Sequence, residues 1–189
     1  MKRTFTITEL QESRGCYTTD QVNALPFNDK GTITLSKLFK TVPIKDFTWF
    51  LTRKSGLTTK QNQLFAVHCA ELVLHIYEDR YPNDKRVREC IDATKLYLNG
   101  DVSQEYLLDK RNAAADADAA AADASYASAA AAGASAYAAY AADAADAAYA
   151  AYAADAADAA SAAYAADAAD AATLNAYIKS IWEYVKTIK

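Results

Sequence analysis

Proline, glycine, cysteine and methionine are all scarce in this chain of 189 residues, with 3 Pro, 5 Gly, 3 Cys and 1 Met. So little Gly and Pro excludes a collagen-like chain or a long flexible linker. The cysteines, Cys16, Cys69 and Cys90, are odd in number and lack CxxC spacing, which argues against a disulfide scaffold or a thiolate metal site. Cys69 and Cys90 lie in apolar-periodic stretches and read as buried thiols. The opening MKRTFTITEL has no continuous apolar stretch of the secretory kind, so a cytoplasmic setting is expected. Residues 124–142 carry no formal charge, but they are Ala with Ser and Tyr and are flanked by Asp, a poor membrane span. Basic residues are missing from 113–178, which hold nine Asp.

What is abundant is alanine. Forty of the 45 Ala lie between Ala113 and Thr173. Residues 137–148 read YAAYAADAADAA, residues 149–160 repeat this, and residues 161–172 repeat it with Ser161 in place of Tyr. Alanine is the best helix former, so the block is expected to be helical. A step of three residues retreats about 60° around an α-helix, so Tyr and Asp wind around the rod instead of forming one stripe. Breaks are therefore expected, at Gly133 and near residues 158–161. Residues 1–112 carry 17 Lys/Arg against 14 Asp/Glu, and residues 179–189 carry three Lys against one Glu. A mildly basic body is thus joined to an acidic rod, an asymmetry that can serve partner selection.

The remaining sequence predicts an all-α bundle. Residues 1–56 form a small irregular helical module, with short helices over 7–14, 18–25, 35–41 and 46–54 and a brief strand within FNDKGTITL. Residues 57–112 form central helices. Thr58 with Gln61 is a capping-box signature, and the helix runs to about Asp79. Asp84 can cap the next, which closes at Asn99-Gly100, and Asp101 with Gln104 starts a third. Residues 113–173 are the Ala-rich repeat. Residues 174–189 restore an amphipathic pattern, through Leu174, Tyr177, Ile178, Ile181, Trp182, Val185 and Ile188, and should dock back on the body, giving one domain overall.

Residues 66–103 carry Tyr77, Tyr81, Pro82, Asp84, Arg86, Arg88, Ile91 and Ala93 in the order Tyr-Pro-x-Asp-x-Arg-x-Arg, then a helix ending before Gly-x-hydrophobic-Ser. That pattern, followed by an Ala-rich, Tyr-bearing tail, resembles an alanine-rich helical family of bacterial and phage proteins known as putative immunity proteins. Gly15-Cys16 and the Trp49/Arg53 segment resemble weaker N-terminal counterparts. Val87 stands where many relatives have Pro, and the Ala block lacks the His that some relatives carry there. The resemblance implies an all-α fold and a neutralising role.

Chemistry is sparse. No nucleophile motif, Gly-rich phosphate loop or paired Cys motif is present, so an enzyme is disfavoured and no cofactor is expected. His68 and His75 lie seven apart, whereas a metal pair prefers four. The Asp pairs lack supporting His or Glu and do not make a metal site. The best candidate is the helix start around Tyr81, Asp84, Lys85, Arg86 and Arg88, where free N–H groups and basic side chains suit an anion. The alternative is that the arginines pair with Glu89, Asp92 or the Asp of the block.

Three functions remain open. The first is a non-catalytic neutralising protein of immunity or phage counter-defence type, binding a host or toxin protein through Tyr137, Tyr140, Asp143, Asp146, Arg53 or the arginine rim. The second is sequestration of a small anionic, nucleotide-like ligand near Arg86 and Arg88. The third is a structural homo-oligomer formed through the Ala faces. Membrane and direct nucleic-acid binding are disfavoured.

Overall fold

The computed structural model describes residues 1–11, 18–122, 133–139, 156, 159 and 171–188. It divides into two compact units, Met1–Leu57 and Thr58–Lys189.

The N-terminal unit contains the brief strand expected within FNDKGTITL and a partner strand that was not expected. Strand β1 (Thr4–Thr6) pairs antiparallel with β2 (Thr32–Thr34), placing Phe5 opposite Ile33. Both are buried while the flanking Thr side chains point outward, the period-2 alternation of a half-buried strand. The three residues of β1 are too few for that alternation to stand out beside α1 in the sequence. Around the sheet lie α1 (Ile7–Gln11), α2 (Thr19–Asn23), α3 (Leu35–Thr41) and α4 (Ile44–Lys54). Their core is Leu35, Leu38, Phe47, Phe50 and Leu51, with Phe39 edge-on to Phe47 at 5.0 Å. The residues expected to extend α1 to Arg14 lie outside those described.

The C-terminal unit is all-α among its described residues. Helix α5 (Thr59–Arg80) opens on the expected capping box, with Thr58 Oγ1 accepting from the Gln61 N–H and the Gln61 side chain accepting from the Thr58 N–H. Helix α6 (Arg86–Asn99) ends at Gly100, whose φ of 83° is the left-handed cap that glycine accepts without a Cβ penalty. Two helix starts fall later than their sequence signals. Lys85 occupies the cap position of α6, and Ser103 accepts the Tyr106 N–H at the start of α7 (Gln104–Ala122).

Helices α6 and α7 form an antiparallel pair, with Lys110 reaching Glu89 at 2.9 Å. Their shared core is small: Cys90, Ala93, Leu107, Ala114 and, from the helical segment 133–139, Ala139. Alanine faces permit axes at the short end of the ~8–10 Å range, and the Cys90 thiol donates to the Ser135 carbonyl at 3.5 Å. Gly133 is itself helical, and the Asp118 carboxylate lies beside it at ordinary contact distance from where a Cβ would stand. A break near residues 158–161 falls almost wholly outside the described residues. The C-terminal helix, Ala171–Thr187, packs on α5 and buries Tyr177, Ile181 and Val185 at four-residue spacing, one helix face.

Candidate functional site: the α5–α6 turn and groove

Tyr77, near the end of α5, is buried and donates its hydroxyl to Asp84 Oδ2 at 2.7 Å. Asp84 Oδ1 accepts the Arg86 backbone N–H at 3.0 Å, so Asp84 supplies a helix-start hydrogen bond although it lies one residue before the cap. The Arg86 guanidinium grips the same carboxylate, Nε to Oδ1 at 3.0 Å and Nη2 to Oδ2 at 2.5 Å. One carboxylate therefore ties the end of α5 to the start of α6. Arg86, and then the Tyr77 hydroxyl, hold the Asp84 carboxyl far below the usual carboxylate range. Burial, followed by the hydrogen bond to Asp84, pushes the Tyr77 phenol up.

Tyr81 stacks obliquely on Tyr77 at 5.0 Å. Its hydroxyl is buried without a hydrogen-bond partner among the described residues. Arg88 makes a two-pronged pair with Glu78 of α5, one prong at 2.6 Å, and this pair lowers the Glu78 carboxyl. Glu89 engages Lys110 and Asp92 engages Lys95 instead. Lys85 is exposed beside the turn.

Alongside the turn, α5 and α6 enclose an open groove of about 290 Å³. Two stripes of identical i, i+4, i+7 spacing face each other across it: Glu71, His75 and Glu78 on α5, and Arg88, Asp92 and Lys95 on α6. Because the helices run antiparallel, the ends match as ion pairs, Glu71 with Lys95 and Glu78 with Arg88. His75 and Asp92 line the middle, above Leu74 and Ile91. Three carboxylates against two cations leave an acidic excess. Its cations already meet carboxylates, so the groove suits a polar or basic group better than a phosphate. Arg86 does not line it.

The residues singled out in the sequence are thus divided. Tyr81, Asp84, Lys85, Arg86 and Arg88 gather at the turn. Arg53 is exposed on α4 in the N-terminal unit, and Tyr137 is exposed at 38% on the segment 133–139. Tyr140, Asp143 and Asp146 lie outside the described residues. Sequence reasoning missed the groove residues Glu71, Glu78, Asp92 and Lys95. Their signal was the pair of complementary stripes, legible only once the two helices are aligned antiparallel. Among the described residues no group of three His, Cys, Asp or Glu is placed to hold a metal ion. No described helix is long and apolar enough to cross a membrane.

Helical packing and an ion-paired turn define the class first: an all-α protein with a small two-stranded sheet in its N-terminal unit. The profile of the Imm-5 like putative immunity protein family then matches residues 57–181, and the chain belongs to that family. The match begins where the second compact unit begins, so the Gly15-Cys16 and Trp49/Arg53 counterparts fall outside it. Membership carries an immunity-type role, in a family whose members are typically non-enzymatic. No curated protein and no solved structure matches the chain.

Proposed function

We propose that this protein neutralises a protein target by binding it without catalysis, as an immunity or phage counter-defence factor, and that the target offers a basic face. Acidic charge carries the reading. Residues 113–178 hold nine Asp and no base, and the groove of the same unit has three carboxylates to two cations. Such a surface steers and orients a basic partner. Exposed Tyr137 and Tyr106 of the same unit supply rigid aromatic area.

The test is native mass spectrometry of the protein purified from a bacterial host. A stable complex with a protein is expected, and it should be lost when Asp143, Asp146, Asp155 and Asp158 are changed to Lys with helicity intact. Persistence of the complex in that variant would remove the acidic block from the account. A second reading, sequestration of a nucleotide-like anion at the α6 start, draws on the buried Tyr81 hydroxyl, unpartnered among the described residues, and on exposed Lys85 in the same turn. It requires an excess of a few hundred daltons on the order of one nucleotide per site, abolished by Lys85→Ala and Arg86→Ala. The same spectrum distinguishes a homo-oligomer.

A further inference from the structure

His68 is half-buried on α5 where the C-terminal helix crosses it. Its ring lies parallel to Tyr184, centroids 4.2 Å apart and planes within 10°. Phe65, one turn earlier, meets the same tyrosine at 6.2 Å. A ring N–H of His68 donates to the Ser180 carbonyl, one turn before Tyr184, so the imidazole is clasped by two consecutive turns of the C-terminal helix. Its Nε2 is buried with no hydrogen-bond partner among the described residues, which makes Nδ1 the donor. Neutral imidazole tolerates this, because an unprotonated Nε2 loses only an acceptor contact. Imidazolium would carry a second N–H and a positive charge with no acceptor to receive them.

We propose that His68 is an acid-sensitive latch: the C-terminal helix is held on α5 by a histidine that must stay neutral, and mild acid loosens that helix. The titratable and charged neighbours are few. From α5 come the buried Cys69 thiol and Glu71, whose charge favours imidazolium but is shared with Lys95. From the C-terminal helix comes Tyr184, whose phenol burial pushes up to about 12, so it remains neutral throughout. Burial outweighs Glu71 and lowers the His68 imidazole. The opened state therefore binds the proton more readily than the closed state, and acid favours opening. This device is independent of which target the acidic surface meets. The other histidine of the chain, His75, provides the control.

Amide hydrogen exchange over residues 171–187 of the full chain, corrected for the intrinsic pH dependence of exchange, reads the latch directly. Between pH 7.5 and 5.5 the opening equilibrium should rise by up to about tenfold, with the increase starting near the ordinary histidine pKa of ~6.5. His68→Phe, which keeps a ring against Tyr184, and His68→Gln should both flatten the profile, whereas His75→Gln should leave it as in the wild type. A flat wild-type profile would overturn the proposal. So would an unchanged profile in both His68 variants, or loss of the effect in His75→Gln.

Discussion

Replacing Asp84 with Ala should separate a structural clamp from an anion site, because the two predict opposite readouts. In the structure this carboxylate receives the buried Tyr77 hydroxyl, the Arg86 N–H and the Arg86 guanidinium. Its loss leaves the Tyr77 hydroxyl buried without an acceptor, costing about 1–3 kcal/mol. Loss of a helix-start acceptor costs about 1 kcal/mol more. The ion pair adds at most ~1 kcal/mol, because the Arg86 side chain is 39% exposed. Together these predict a destabilisation of roughly 2–5 kcal/mol, or a Tm lower by about 4–20 °C in a protein of this length. Urea unfolding followed by circular dichroism measures it. The sharper test is the double mutant with Tyr77→Phe, in which the Asp84→Ala cost should shrink by about 1 kcal/mol or more. Costs additive within ~0.3–0.5 kcal/mol would show that the hydroxyl and carboxylate are not coupled, and would refute the clamp. Acid provides a second check. The Asp84 carboxyl is depressed in the folded state, so its stabilisation is complete above the ordinary Asp pKa of ~3.9 and fades as pH falls below it.

Other perturbations follow the same logic. Leu107 is the large aliphatic side chain in a core otherwise built of Ala and Cys, so Leu107→Ala should cost about 2–5 kcal/mol in denaturant unfolding, with little scope for collapse. Glu9 is held at about 2 by Lys2, and then by the Thr6 N–H; carboxyl NMR titration should place it there, and Lys2→Ala should raise it towards 4.5. Any stability Glu9 contributes is present above that unperturbed value and is lost as pH falls. Burial raises the Cys90 thiol to about 12, so peptide mapping should find Cys90 unmodified by iodoacetamide at pH 8 in the native protein and alkylated after unfolding.

Helices with strong local signals were legible in the chain. The Thr58/Gln61 capping box and the Gly100 cap bracket α5 and α6 because each involves residues within one turn, so no distant partner is needed. The strand β1 was not legible, since its pairing with Thr32–Thr34 is closed by residues nearly thirty positions away. The same distinction applies to the site. Arginines at the start of α6 drew attention as a local excess of positive charge on a helix N-terminus. Asp84 neutralises Arg86 from only two positions away, whereas Glu78, ten residues before Arg88, reaches it only when α5 and α6 fold back together. The groove depends on antiparallel register between two ordinary charged stripes, and the His68 clasp depends on a helix more than a hundred residues away. Composition and short-range spacing alone determined the helical class, the acidic charge of the alanine block and the family motif, because they act within a turn or two of chain. Which charges cancel, which thiols are shielded and which histidine is enclosed were decided by tertiary packing, because burial and pairing depend on what the fold brings near.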